Sequence, residues 1–281
     1  MAELVVLKPG SQAKPRPRIR LAIAVACIFL FLAAAGPAIA PYDPLRIDAS
    51  VALAPPSLSH WFGIDQVGRD IFSRVLAATQ IDLLTALLAV ASSLAVGTAI
   101  GAFAGWAGGW ADALMSRLLD TIMAFPLFVL AVGIAAALGN SMSSVVLATA
   151  VVNLPFYARQ VRTEVNRRRS AGYVEAARLA GIGPVTIVVG HILPNLLPPL
   201  MVQSSLNMGW AILNAAGLSF IGLGIRPPQP EWGIMVADGA SYMISGEWWV
   251  FAFPGVTLML AVLGFSLIGD ALRDHFDPRR A

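Results

Sequence analysis

Residues Leu83 to Ala111 read LLTALLAVASSLAVGTAIGAFAGWAGGWA, a stretch without one charged side chain. A helix needs about 20 consecutive apolar residues to cross roughly 30 Å of hydrocarbon. A charge at its centre costs about 2.5–3.5 kcal/mol on insertion scales. Four further runs are equally free of charge: Leu21 to Tyr42, Thr121 to Ala158, Ile192 to Ile225 and Trp248 to Gly269. The run from Thr121 to Ala158 is too long for one span, and Gly139-Asn140-Ser141 at its middle is a turn signal. It therefore divides in two, and the chain reads as an all-α membrane protein with six transmembrane helices. Composition agrees. Hydrophobic residues make up 57% of the 281 and charged residues 12%, where a soluble domain carries about 25% charged. The mean hydropathy is +0.74.

Basic residues set the expected orientation, because they accumulate on the cytoplasmic side of short loops. Lys8, Lys14, Arg16, Arg18 and Arg20 precede the first run; Arg159, Arg162, Arg167, Arg168, Arg169 and Arg178 follow the fourth; Arg273, Arg279 and Arg280 follow the last. On the alternate side acids balance or outnumber arginines. Both termini are thus expected in the cytoplasm, which six spans allow. The expected division is a cytoplasmic tail (1–20), a first transmembrane helix (21–42), an extracytoplasmic segment (43–80), a five-helix transmembrane domain (81–270) with a cytoplasmic loop at 159–194, and a cytoplasmic tail (271–281). Ala38-Ile39-Ala40 imitates a signal-peptide cleavage site, but the apolar run before it is about twice a typical ~7–15 residue signal core, so an uncleaved helix is expected. The isoelectric point near 9.4 follows from these flanking cations and gives no reason to invoke nucleic acid. Trp106 and Trp110 sit at one expected interface and Trp248 and Trp249 at another. Gly97, Gly101 and Gly105 repeat every fourth residue, which strips one helix face for close packing.

Chemistry is absent where an enzyme or self-sufficient pump would need it. His60, His191 and His275 fall in three separate segments, and the single cysteine, Cys27, lies within the first apolar run. No G-x-x-x-x-G-K-[ST] phosphate loop occurs, and the only lysines are Lys8 and Lys14. Any use of ATP therefore belongs to another chain. Ion-coupled carriers keep ionisable residues inside the bundle. Here Asp82 is expected at an outer helix end and the span interiors carry none, although backbone carbonyls remain able to hold sodium.

The loop after the fourth span reads Tyr173-Val174-Glu175-Ala176-Ala177-Arg178-Leu179-Ala180-Gly181 and ends at Ile192-Leu193-Pro194. Residues 172–180 form an expected short helix, stopped by Gly181 and Gly183 with Pro184 beyond. Ala176, Ala177 and Ala180 make a slim face suited to a groove on another protein, with Glu175 and Arg178 at its rim. Physics alone leaves open a helix that merely lies under the membrane. The stretch resembles the EAA motif of ABC-importer permeases: E-A-A, three residues, G, nine residues, I-x-L-P. Glu175, Ala176, Ala177, Gly181, Leu193 and Pro194 match; His191 stands where the pattern has isoleucine. Gly63-Ile64-Asp65-Gln66-Val67-Gly68-Arg69-Asp70, and Leu218-Ser219-Phe220-Ile221-Gly222-Leu223-Gly224 with Pro230-Glu231-Trp232-Gly233, resemble segments of the DppC/OppC permeases for dipeptides, oligopeptides and nickel. From residues alone, Asp70 and Arg74 at i, i+4 are expected to pair on a surface helix.

The resemblance implies a type I ABC importer permease fold in the bacterial inner membrane, binding no cofactor itself and carrying no catalytic residue. It implies a homologous second permease, two ATP-binding subunits holding ATP and Mg, and an extracytoplasmic substrate-binding protein, all in contact with membrane lipid. Tyr173 to Gly181 would be the coupling helix, with cargo of di- or oligopeptides, or alternatively glutathione, nickel or another small solute. Gln203, Asn207 and Asn214 share one face of the fifth span. That stripe is read two ways: lining for a hydrated path, or helix–helix hydrogen bonds worth about 0.6 kcal/mol each. The rivals from another class are an ATP-independent channel, an ion-coupled carrier and a recruiting scaffold.

Overall fold

The computed structural model describes residues 17–276, with side chains from Arg20. The tail residues Lys8, Lys14, Arg16, Arg279 and Arg280 lie outside them. The first span is α1 (Pro17–Ile39). The second, α2 (Ile71–Ala107), is 37 residues long, about 55 Å at 1.5 Å per residue, and so exceeds the hydrocarbon thickness. It begins twelve residues before the charge-free run because Asp70 caps it, accepting from Ser73 N–H at 2.7 Å. Asp70 also pairs with His60 Nδ1 at 2.9 Å. Arg74 turns instead to Asp65 at 3.6 Å and the Pro44 carbonyl at 3.0 Å. The expected Asp70–Arg74 surface pair is therefore replaced by a buried cluster in which Asp65 also holds Arg69 at 2.6 Å. This cluster pairs the charges of Asp65, Arg69 and Arg74, which precede the charge-free run.

Next come α3 (Gly109–Met123) and α4 (Leu127–Leu138), bent by 89° about the break that contains Pro126. Proline has no N–H to continue a helical ladder. Then α4 stops at Gly139, φ +82°, and Ser141 caps α5 (Met142–Arg168) by accepting from Ser144 N–H at 3.1 Å. The turn expected at Gly139-Asn140-Ser141 is thus present. A short α6 (Gly172–Leu179) follows. The stretch from Pro184 to Phe220 is nearly continuous: a one-turn α7 (Pro184–Ile187), a π turn, a 3₁₀ turn and α8 (Leu197–Phe220). The departures from α geometry occur around Pro194, Pro198 and Pro199. Last are α9 (Trp232–Ala240) and α10 (Trp249–Phe276).

Four of these helical stretches are long and apolar enough to cross a membrane: Arg20–Ile39, α2, Pro184–Phe220 and α10. The bent α3–α4 pair makes a fifth if taken as one span. Among the described residues there is no β-strand. The tightest seam joins α2 to α5. A Cβ built on Gly97 would lie 2.8 Å from Tyr157 Cβ, one on Gly101 2.3 Å from the Ala158 carbonyl oxygen, and one on Gly105 2.6 Å from the Arg162 carbonyl oxygen. The packing role expected of this glycine row holds. On the other flank, α1 rests on α2 at Gly36 and on α10 at Gly264, where a Cβ would meet Leu76 O at 2.6 Å and Val25 Cγ1 at 2.5 Å. Asp82 departs from expectation. It lies in the fourth turn of α2, 3% exposed, and Trp232 N–H donates to its Oδ2 at 3.0 Å.

Candidate coupling site

The helix α6 projects from the end of α5 and is fastened at three points. Val174 is fully buried and Ala177 nearly so, in the same apolar cluster as Val165, with Trp106 packed against it. Their i, i+3 spacing puts them on one face. The guanidinium of Arg178 lies 4.7 Å from the Trp106 ring centroid, tying α6 to the end of α2. At its C-terminus, Ile182 N–H donates to the Ala177 carbonyl and Gly181 N–H to the Arg178 carbonyl, both at 3.0 Å. That pair of bonds is a Schellman stop, which requires the left-handed residue supplied by Gly181 at φ +78°.

The opposite face is open. Tyr173, Glu175, Ala176, Leu179 and Ala180 are exposed, Leu179 at 90%. Glu175 lies in the first turn, where a negative charge complements the helix dipole, and has no ion-pair partner among the described residues. The three alanines read as one slim face divide instead: Ala177 turns inward, and Ala176 and Ala180 outward. Leu179 is the addition that spacing could have revealed, an apolar residue off the Val174–Ala177 face. Further along, His191 and Leu193 are half-buried and Pro194 is exposed. The chain therefore presents a short, rigidly footed helix with alanine, tyrosine and leucine outward. Replacing Trp106 with alanine removes a contact of about 0.5–1 kcal/mol. Backbone amides in 172–182 should then exchange hydrogen about two- to fivefold faster, by mass spectrometry, with the rest of α5 unchanged.

The polar stripe of α8 is placed differently. Asn214 Nδ2 donates to Thr149 Oγ1 at 2.9 Å, and Tyr157 OH to Ser204 Oγ at 3.2 Å. Asn207 is held by Gln203 Nε2 at 3.0 Å, and both asparagines are buried, at 7% and 4%. These groups form a seam between α5 and α8; Ser204 lines one cavity and Gln203 another. The Gln203 cavity, about 330 Å³, is also lined by Gln160, Val202 and Arg273.

A bundle of long apolar helices, with a small exposed helix footed on the ends of two of them, defines a helical membrane protein. Residues 97–281 match the family described as "Binding-protein-dependent transport system inner membrane component", and the chain belongs to that family. It is 44% identical over 243 residues to a probable D,D-dipeptide transport system permease protein of Escherichia coli K12, covering 86% of this chain and 81% of that one. It is 41% identical to the dipeptide transport system permease protein of Alkalihalophilus pseudofirmus, covering 86% and 81%. The glutathione transport system permease protein of Escherichia coli O6:K15:H31 is also 41% identical, covering 86% and 80%. The fold is similar to that of a solved inward-facing MetNI methionine ABC transporter chain, with a TM-score of 0.59 at 18% identity, covering 73% of this chain and 97% of that one.

Proposed function

We propose that this permease carries di- or oligopeptides across the bacterial inner membrane as one of two homologous permeases, driven by two ATP-binding subunits and fed by an extracytoplasmic binding protein. The single observation that supports this most is the open face of α6, footed on α2 and α5 as a force-bearing part must be. The peptide relatives at 41–44% identity favour peptide cargo; the glutathione relative keeps that small peptide as a second reading.

In this reading both termini, 1–20 and 271–281, are cytoplasmic, 21–42 is the first span, 43–80 is extracytoplasmic, and 81–270 is the transmembrane domain with its coupling loop at 159–194. The six spans are α1, α2, α4, α5, α8 and α10. At 12 residues α4 reaches about 18 Å, and the preceding α3, at 89° to it, runs across that direction. Tyr173, Glu175, Ala176, Ala177, Arg178 and Gly181 transmit the force, with Leu193 and Pro194 setting the return of the chain into α8. ATP and Mg reside on the partner subunits. Of the polar stripe, Gln203 is the residue favoured for the path, beside Gln160 and Arg273, whereas Asn207 and Asn214 hold α5 to α8.

The test is reconstitution in liposomes. With both permeases, the ATP-binding subunits and the binding protein present, labelled dipeptide should accumulate only when ATP is inside the compartment that bears the ATP-binding subunits. Uptake by this chain alone, without ATP, would replace this reading with an autonomous channel or ion-coupled carrier.

A further inference from the structure

Two acids far apart in sequence meet inside the bundle. Asp82 sits in the fourth turn of α2, Glu231 caps α9, and their side chains are 3% and 1% exposed. Their carboxyls are brought together at the start of α9, where Asp82 accepts from the N–H of the residue that follows Glu231. Trp232 N–H donates to Asp82 at 3.0 Å, and Gly233 and Ile234 N–H donate to the two oxygens of Glu231 at 2.9 and 2.8 Å. The Ser219 hydroxyl of α8 also bonds Glu231.

No cation reaches this pair from the elements packed around it. Within the described residues α1 carries no charge after Arg20, α5 none before Arg159, α8 none at all, α9 only Asp238, and α10 none before Asp270. In the loop before α9, Arg226 is exposed. Two turns earlier on α2, Arg74 is engaged by Asp65. Ionised carboxylates only accept hydrogen bonds, so two of them buried side by side can bond each other only when one carries a proton. Like charges at this range, out of water, do not both ionise.

We propose that Asp82 and Glu231 form a proton-binding site that holds one proton at neutral pH, and that this shared proton fastens α9 to α2. Burial pushes the Glu231 carboxyl above its ordinary range, the direction such a site requires. Trp232, fully buried, anchors the junction through its backbone N–H on Asp82 and its ring Nε1 on the Val75 carbonyl at 3.3 Å.

The linkage has a definite sign. In the unfolded chain both acids ionise above the ordinary carboxylate range, whereas the folded pair keeps one proton. Stability from the shared proton is therefore complete below that range and is lost as pH rises toward the raised pKa of Glu231, about tenfold in the folding equilibrium per pH unit. Asp82→Asn supplies an amide donor to Glu231 with no proton to lose.

The experiment uses the full-length chain in lipid nanodiscs and infrared difference spectra at neutral pH, in H₂O and D₂O. Wild type should show a protonated-carboxyl C=O absorption, shifted by deuterium, that is missing from both Asp82→Asn and Glu231→Gln. Spectra identical in that region for wild type and either variant overturn the proposal. A second readout guards against poor yield of one variant. The thermal midpoint of wild type should fall more steeply between about pH 6 and pH 9, above the ordinary carboxylate range, than that of Asp82→Asn; equal slopes overturn it as well.

Discussion

Gly181→Pro is expected to reduce ATP-driven uptake to background while the chain still accumulates in the membrane. Proline fixes φ near −65°, whereas the native residue sits at +78°, so the Schellman stop is not available to it. The substitution also deletes the N–H that donates to Arg178 O. It further pushes the preceding residue, Ala180, out of the helical region it occupies at φ −74°, ψ 2°. Together these unwind the last turn of α6, which carries Leu179 and Ala180 on its open face. Nothing lies within 4 Å of a Cβ at this position, so the rest of the bundle is not disturbed.

That separation of effects makes the experiment decisive. Asparagine is the ordinary residue that tolerates a left-handed conformation, and Gly181→Asn should keep more than half of the uptake. Glu175→Lys should reduce uptake at least tenfold, because it reverses an exposed charge without touching the buried Val174–Ala177 face. All three should give membrane levels and melting midpoints close to wild type. Normal uptake by Gly181→Pro and Glu175→Lys would remove α6 from the coupling role.

The positions that were legible in sequence share a property: their cause is local. Gly139-Asn140-Ser141 declares a turn because a left-handed glycine and a serine cap act within four residues. Gly181 declares the end of α6 for the same reason, and the row Gly97, Gly101, Gly105 declares a packing face by spacing alone. Proline shows the limit. Pro126 stands at an 89° break, while Pro155 sits inside α5 without ending it. Pro155 is buried in the bundle, a setting that no local rule contains. The same holds for the start of α2. Arg74 and Asp82 interrupt the apolar pattern, yet the helix runs through both: Asp65, nine residues back, engages Arg74, and the Trp232 N–H, 150 residues on, engages Asp82. Within the site, Glu175, Ala176 and Ala180 were readable as an exposed helix face, whereas Ala177 turns inward. The grip of Trp106 on Arg178 was not, since it depends on the ends of α2 and α6 coming together.

The second large effect belongs to that glycine row. Gly101→Leu should leave almost no folded chain in the membrane, and even Gly101→Ala should lower the melting midpoint of the purified protein by several degrees. An added Cβ would lie 2.3 Å from the Ala158 carbonyl oxygen and 3.0 Å from Arg162 N, both backbone atoms of α5. Backbone atoms of a helix cannot rotate away as a side-chain tip does, so the helices themselves must part. Inserting even small groups into a packed core costs about 1–3 kcal/mol. In lipid, apolar association gains nothing from exclusion of water and depends on close packing. A gap of 0.5–1 Å already forfeits about a quarter to a half of each contact, and α2 meets α5 along most of its length. Gly133→Ala supplies the internal control, since nothing lies within 4 Å of its Cβ and alanine is the better helix former by about 1 kcal/mol. That variant should melt at or slightly above the wild-type temperature. If Gly101→Ala did the same, the α2–α5 seam would be loose enough to accept a methyl group, and the rigid foot it gives to Trp106, and through Trp106 to α6, would have to come from elsewhere in the bundle.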